Sequence, residues 1–408
     1  MNRIRIFAEN HLIFFGAIIL DLFAFAANLF AARWTVFANA YSHTVFRFAS
    51  LRLSRLMGIF HVSIVECLLF ALCILGTGDL FYHLFFSWKT RSWKPLRALG
   101  GHVFLLLSFL YFLYTFNCSI NYRRTSFSKE AQLNVTENYS KEELLKLCEY
   151  LVRELNTAER NLVTERQKAM ESTTLSPEDP EDVNFLLVQN GAYIGQTEFT
   201  PEPNARWLFH AGTAGQHAME ALGNRYDRLS GLYPYPKPVL NSWILSVQQT
   251  TGVYSPFTLE ANYNRSIPYY NIPFTICHEL SHLRGYMQEQ EANFIAILAT
   301  CSSEDNYFRY SGYLNGWVYA GNALAKVDYE NFSRLYKALD PHAIQDLKYN
   351  NAYWKRYEGE IAKVQEKVND VYLKSNGQSH GVKSYGHVTD LMLQYYEKNG
   401  TLDIHKLS

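Results

Sequence analysis

The distribution of apolar residues constrains this chain more than any other feature, because they are concentrated in its first 122 positions. Three stretches there, at residues 12–32, 59–88 and 99–120, are long enough to cross a hydrocarbon core, which takes about 20 apolar residues in a helix. The first is too long for a cleavable signal peptide, and more apolar sequence follows it. We therefore predict that residues 1–122 form a transmembrane region with three spans, and that the lipid bilayer is one partner of the chain.

The sequence between the first two spans, residues 36–56, mixes apolar and aromatic residues with Arg47, Arg52 and Arg55. This pattern is typical of a helix that lies in the membrane interface. An amphipathic helix packed against the other spans would show the same pattern, so both interpretations stay open.

Loop charges indicate the orientation of the spans, because positive residues close to spans favour the cytoplasmic side. The N-terminus and the short loop after the second span carry Arg3, Arg5, Lys89, Arg91, Lys94 and Arg97. The opposite side carries as many positive residues, but most of them are spread over a longer loop: Arg33, Arg47, Arg52, Arg55, Arg123 and Arg124. We predict a cytoplasmic N-terminus and, with three spans, an extracytoplasmic soluble part.

The remainder has the mixed composition of a soluble domain. Residues 123–139 are rich in Ser and Asn and are predicted to be a linker, with one domain at 140–408. Ser140 and Glu143 form a capping-box pattern at the start of an amphipathic helix. A short strand is expected within residues 239–254, and helices at 338–374 and 387–398. The predicted fold class is mainly α: three transmembrane helices, then an α+β domain with a small sheet.

Charge and cysteine content argue against two kinds of site. Lys and Arg together number 38, as do Asp and Glu, so the zero net charge gives no electrostatic reason to expect a nucleic-acid partner. The six cysteines are widely spaced, and three of them lie in the apolar part. They form neither a disulfide framework nor the paired-cysteine pattern of a thiolate zinc site.

The sequence HELSH at residues 278–282 carries the predicted chemistry. On a helix, His278 and His282 lie one turn apart on one face and can hold a Zn²⁺ ion, with Glu279 on the adjacent flank. A third protein ligand and one position left for water would make such a site catalytic. Glu279 would then act as general base toward a zinc-bound water that attacks a carbonyl carbon.

Two acidic residues are candidates for the third metal ligand. Gly285 permits a sharp turn, so that a second helix can fold back toward the ion and offer Glu289 and Glu291. We favour Glu289, because Asn293 lies one helical turn further along and could orient one of the liganding imidazoles. Glu291 is the alternative, and both acids would also be favoured simply at a helix start.

A tetrahedral intermediate needs a hydrogen-bond donor aimed at its oxyanion. Tyr310, Tyr385 and His387 are the candidates for this catalytic role. A structural role is the competing interpretation for the tyrosines, because the chain has 29 of them and tyrosines usually pack as amphipathic core residues. For Arg309, a salt bridge to one of the two acids is favoured over binding of a substrate carboxylate.

Five segments together resemble a known family: TGVYSPFTLEAN at 251–262, PFTICHELSH at 273–282, EQEANF at 289–294, FRYSGY at 308–313 and GVKSYG at 381–386. With the three spans, they are similar to the bacterial membrane family of unknown function numbered 3810, over nearly the whole chain. The resemblance implies a zincin-like, gluzincin-type domain in the bacterial cytoplasmic membrane, but no substrate. The similarity of residues 289–293 to the third-ligand helix of other gluzincins supports Glu289. Gln288 stands where metzincins carry a third histidine, which argues against that group.

Motif and resemblance together predict a membrane-anchored zinc metallopeptidase with a peptide or protein substrate. Hydrolysis of a non-peptide amide, such as a cell-wall component, would use the same residues. The alternative from another class is a non-catalytic zinc-binding membrane sensor or scaffold with a zincin fold, because a fold does not establish an activity.

Overall fold

The computed structural model describes residues 2–133, 139–172, 203, 205–378 and 387–407. Helices make up most of this part of the chain, and three short strands form one sheet. The predicted mainly α class with a small sheet is therefore confirmed, as are three apolar helices near the N-terminus.

The first five helices are α1 (Asn2–Arg33), α2 (Thr35–Tyr41), α3 (Arg47–Met57), α4 (Ile64–Thr90) and α5 (Lys94–Asn117). Three segments are long and apolar enough to cross a membrane: Leu12–Arg33, Ile64–Thr90 and Lys94–Arg123. Only 6% of the most apolar window in α4 is buried inside the protein, so the outside of this helix suits a hydrocarbon environment. The second span begins five residues later than predicted, because the Ser63 hydroxyl caps α4 by accepting the N–H of Glu66.

The segment between the first two spans consists of α2, a π-helical turn at Ser42–Phe46 and α3. Its outer face is apolar, with Val36 81% and Phe48 65% exposed, as an interfacial helix requires. Its inner face packs on the soluble domain, where the Ser50 hydroxyl donates to the Leu283 carbonyl oxygen at 2.6 Å. The exposed apolar face agrees with the interfacial interpretation. The Tyr41 hydroxyl donates to the Phe116 carbonyl oxygen of α5 at 2.9 Å, so this segment also packs against a span, as the alternative interpretation expects.

Residues 123–133 do not form the linker that we predicted. After a 3₁₀ turn at Ser119–Arg123, the short helix α6 (Phe127–Glu130) buries Phe127 in the core. The backbone N–H and the hydroxyl of Ser128 both donate to the Glu291 carboxylate, at 2.8 and 2.7 Å. The polar composition was misleading because these side chains cap a helix and bind a buried acid. Residues 134–138 of the predicted linker lie outside the described residues.

The remaining helices are α7 (Lys141–Ser172), α8 (Ala205–Arg225), α9 (Ser242–Val247), α10 (Asn271–His282), α11 (Glu289–Cys301), α12 (Asn306–Val327), α13 (Tyr329–Lys337), α14 (Pro341–Lys355), α15 (Glu360–Ser375) and α16 (Val388–Asn399). The predicted capping box opens α7, because the Glu143 N–H donates to the Ser140 hydroxyl and the Ser140 N–H donates to the Glu143 carboxylate. Helix α7 packs against α12 and has four fully buried leucines on one face: Leu144, Leu147, Leu151 and Leu155. Helices α10, α11 and α12 pack on one another at the centre of the domain.

The sheet has the order β1-β3-β2, where β1 is Lys237–Val239, β2 is Gly252–Ser255 and β3 is Glu260–Asn264. β1 runs parallel to β3, and β2 runs antiparallel to β3 with Tyr254 opposite Ala261. The stretch 239–254, predicted to contain one strand, forms strand only at its ends and is helical in α9. A contact remote in sequence explains the helix, because the Glu66 carboxylate of α4 accepts the N–H groups of Leu240 and Asn241 just before it.

Candidate metal centre

Helices α10 and α11 form a hairpin that carries the motif residues. α10 ends at His282, Gly285 adopts a left-handed conformation with φ of +81°, and α11 begins at Glu289. A side chain at Gly285 would also meet the Ser42 hydroxyl at 2.9 Å, so both the backbone angle and the space require glycine. The sharp turn brings the first turn of α11 back beside the last turn of α10.

Three side chains of this hairpin converge on one point. His278 Nε2 lies 3.2 Å from His282 Nε2 and 3.2 Å from Glu289 Oε2, and the three ligand atoms all lie within 4.8 Å of one another. The side chains of His278 and Glu289 are 12% and 15% exposed, so the cluster opens to solvent on one side.

The other ring nitrogen of each histidine is held by an oxygen. His278 Nδ1 lies 2.8 Å from Asn293 Oδ1, the contact predicted for Asn293, and His282 Nδ1 lies 2.7 Å from the carbonyl oxygen of Tyr286. Because these oxygens only accept, each Nδ1 carries a proton and donates it. In the neutral imidazoles the lone pairs are then on the two Nε2 atoms, which face each other.

Three electron-pair donors arranged in this way need a positive charge among them. Zinc bound tetrahedrally at about 2.0–2.1 Å holds its ligand atoms about 3.3 Å apart, and both contacts of His278 Nε2 measure 3.2 Å. Two imidazoles and one carboxylate are also a donor set that catalytic zinc sites use. The residues present therefore fit a zinc ion, which His278, His282 and Glu289 could hold.

Charge within the cluster shifts the pKa of both histidines. Burial acts to lower the pKa of His278, but the hydrogen bond and charge of Glu289 outweigh it and raise this pKa to about 9. Burial and the neighbouring His278 lower the pKa of His282 to about 4. Without metal, the pair therefore holds one proton near neutral pH in addition to the two on its Nδ1 atoms, and this extra proton lies on His278 Nε2, where a cation fits.

Glu279 lies beside the cluster under the edge strand β2. It is 4% exposed, and its carboxylate accepts the backbone N–H of Tyr254. Burial raises its pKa to about 8, with Glu289 adding to the shift and His278 opposing it. Gly252 allows the close approach, because a Cβ there would lie 2.5 Å from Glu279 Oε1.

The remaining predicted site residues have other partners. Glu291 is buried against Ser128 and does not belong to the cluster of His278, His282 and Glu289. The Tyr310 hydroxyl donates to the buried Asp346 carboxylate at 2.7 Å, and His387 Nδ1 lies 3.2 Å from Asp390 Oδ2.

Two further predictions about site residues concern Arg309 and Tyr385. Arg309 forms a salt bridge as expected, but its partner is Asp403, at 3.0 Å, rather than Glu289 or Glu291. Tyr385 lies outside the described residues.

Tyr254 is not among the site residues predicted from the sequence, although its ring centroid lies 5.8 Å from that of His282. The Tyr254 hydroxyl donates to the backbone oxygen of Asn117 at the end of α5, at 2.9 Å. The wall of the cluster thus reaches the third apolar helix, a contact across 137 residues that a local pattern cannot reveal.

Two other groups of ligating side chains occur in the described part of the chain. In one, His342 Nδ1 lies near both Glu159 and Asp340, so a single nitrogen meets two carboxylates in an ordinary ion pair. In the other, the Asp79 carboxylate lies between His83 and His102, at 3.2 and 3.1 Å, within the apolar helices α4 and α5. Each of these contacts pairs an imidazole nitrogen with a carboxylate, so a hydrogen bond accounts for it.

The chain belongs to the family described as "Protein of unknown function (DUF3810)", whose model matches residues 41–393. The match begins at the end of α2 and ends within α16. It therefore covers α4, α5, the sheet and the cluster of His278, His282 and Glu289. Neither a curated protein nor a solved structure matches the chain. The family resemblance predicted from the sequence is confirmed, and the description of the family states no activity.

Proposed function

We propose that this protein is a membrane-anchored zinc-dependent hydrolase, and more narrowly a gluzincin-like metallopeptidase that acts on peptides or proteins outside the cytoplasm of a bacterium. One observation carries the proposal. His278 Nε2, His282 Nε2 and a Glu289 carboxylate oxygen, three atoms that can each ligate a metal ion, all lie within 4.8 Å of one another, and the general base candidate Glu279 lies alongside.

Zinc held by these three residues would polarise a carbonyl group and lower the pKa of a bound water. Glu279 is the residue that would take up the proton of the attacking water, since its raised pKa of about 8 in the metal-free protein gives it proton affinity near neutral pH. The hydrogen bond from the Tyr254 backbone N–H holds the Glu279 carboxylate in place. Asn293 and the Tyr286 carbonyl orient the two imidazoles.

The position of β2 supports a peptide substrate. β2 is at one end of the strand order, and the Tyr254 N–H donates to Glu279 rather than across the ladder to β3. Glu279 therefore lies along the side of β2 that faces away from β3. An extended peptide that added to this edge would place its backbone carbonyl groups near Glu279 and the metal ligands.

The test uses the full chain purified in detergent, with fluorescein-labelled casein and a library of quenched fluorescent peptides as probes. Zinc content is measured by plasma mass spectrometry. We expect about one zinc per chain at the cluster. Glu279→Gln should keep this zinc and lose about 10²–10⁴-fold in turnover, because it removes the base without removing a ligand. The exposed Glu304→Gln is the matched control and should keep both zinc and turnover.

Each outcome separates the hypotheses. Full turnover in Glu279→Gln contradicts the assigned mechanism, and a zinc-free wild type contradicts the metal centre. A wild type that holds zinc but cleaves none of the probes favours the non-catalytic sensor.

A further inference from the structure

A second concave site lies beside the turn that follows His282, and it is strongly basic. It is small and partly open to solvent. Its lining residues are Ser42, His43, Arg47, Arg124, Arg228, Leu283 and Arg284. Four of them are arginines and none is acidic, and we refer to this site as the arginine pocket.

Two of these arginines are buried with donors that have no acceptor. Arg284 is 4% exposed; its Nη2 donates to the carbonyl oxygens of Gly231 and Leu232, whereas its Nε and Nη1 have no partner. Arg124 is 6% exposed, and its Nε is likewise unpaired. Buried N–H groups of a guanidinium are expected to be hydrogen-bonded, so a missing acceptor is indicated.

Few acids compensate the charge of the pocket. Glu130 pairs with Arg124 at 2.9 Å, and the Asp227 side chain, 86% exposed, lies 4.0 Å from Arg47. The positive field is evident at His43, whose pKa falls to about 4 through burial and through the charges of Arg124, Arg228 and Arg47, with Asp227 opposing. The missing acceptor is therefore expected to be an anion.

The pocket is assembled from chain segments at the ends of the apolar helices. Ser42, His43 and Arg47 belong to the segment between the first two spans, which exposes Val45 at 55% and Phe48 at 65% on its surface. Arg124 directly follows the apolar segment that ends at Arg123. Residues at span ends lie at the level of the lipid headgroups.

We propose that the arginine pocket binds the phosphate group of an anionic phospholipid headgroup. The phosphate oxygens would accept hydrogen bonds from the unpaired guanidinium donors of Arg284 and Arg124, and Arg47 and Arg228 would add charge at the pocket opening. Arginine suits this role because its planar donors match a phosphate in pairs. The proposal is independent of any hydrolytic activity.

The experiment titrates the full chain, in a neutral detergent, with dioctanoyl phosphatidylglycerol and follows binding by native mass spectrometry. Dioctanoyl phosphatidylcholine and inorganic phosphate are titrated in parallel. The test variant is Arg47→Gln with Arg228→Gln, which leaves the buried arginines in place. The control is Arg52→Gln with Arg55→Gln, which removes two exposed arginines of α3 that do not line the pocket.

We expect saturable binding of phosphatidylglycerol that the test variant weakens on the order of tenfold and the control leaves unchanged. Equal weakening in both variants, or equal binding of phosphatidylcholine, would show a non-specific charge effect and overturn the proposal. Inorganic phosphate that binds as tightly as phosphatidylglycerol would overturn the assignment to a lipid headgroup.

Discussion

The candidate metal cluster, formed by His278, His282 and Glu289, and the arginine pocket border the same turn but carry opposite kinds of functional group. The cluster offers ligands for a cation, whereas the pocket offers hydrogen-bond donors for an anion. At the candidate metal cluster, His278, His282 and Glu289 bring together three side chains whose nitrogen or oxygen atoms can each bind a cation. At the arginine pocket, Arg124 and Arg284 bring together donors without enough acceptors. The net charge of the whole chain is zero and predicts neither site. Only the charged and hydrogen-bonding groups at each site indicate that one fits a cation and the other an anion.

The two sites also share their support. Arg124 Nη1 donates to the Arg284 carbonyl oxygen at 2.7 Å, and the Ser50 hydroxyl donates to that of Leu283. These bonds fix the turn from the side of the apolar helices, while the Tyr286 carbonyl fixes His282 from the other end of the turn. The membrane-proximal segment is therefore part of the framework that positions the candidate ligand His282.

The largest effect is expected from replacing the proposed third ligand of the candidate metal cluster. Glu289→Gln should weaken zinc binding at least about a hundredfold, because it removes the only carboxylate ligand and its charge. Glu291→Gln should leave zinc affinity nearly unchanged, because Glu291 binds Ser128 instead. Competition with a chromophoric chelator measures both affinities. The reverse ranking would restore Glu291 as the third ligand and break the proposed cluster.

The different construction of the two sites explains how much the sequence could predict. The cluster of His278, His282 and Glu289 lies within residues 278–293, so helical spacing and the glycine turn predicted that both histidines and one of two acids would lie together. They left the choice between Glu289 and Glu291 open. The arginine pocket draws on four separate segments. The sequence analysis considered Arg47 and Arg124 only as loop charges, and no motif included Arg228 or Arg284. Packing between segments far apart in the sequence brings Ser42, Arg124 and Arg284 together, and no local pattern predicts that.

The same contrast holds for the fold. Strong local signals predicted the three apolar helices and the capping box of α7. The failures are places where a remote partner decides the local structure. The Glu66 carboxylate of α4 accepts the backbone N–H groups that precede α9. The Glu291 carboxylate accepts the N–H of Ser128, within the segment predicted to be a linker.

A change of pH should separate the two sites. Because the pKa of His278 is raised to about 9, the metal-free cluster holds a proton below that pH, and zinc must displace it. Zinc affinity should therefore rise about tenfold for each pH unit between pH 6 and 8 and level off above about pH 9. Lipid binding at the arginine pocket should stay constant over this range, because guanidinium groups stay charged and the His43 pKa is already as low as about 4. Titration calorimetry at several pH values measures both the zinc affinity and the lipid affinity. A zinc affinity independent of pH would contradict the presence of a proton on His278 that zinc must displace.

The smallest expected effect concerns the base rather than the ligands. In Gly252→Ala the new Cβ would lie 2.5 Å from Glu279 Oε1 and 2.7 Å from Thr275 Cγ2, so the carboxylate must move away from the Tyr254 N–H. Turnover of the casein or peptide probe should fall about tenfold, since a general base acts only within hydrogen-bond reach of the proton it takes. Zinc content should stay the same, because no ligand is displaced. Gly359→Ala is the matched control, since its added Cβ meets nothing within 4 Å. Loss of zinc together with turnover in Gly252→Ala would show that β2 supports the metal ligands themselves, and the distinction drawn between the base and the cluster would then fail.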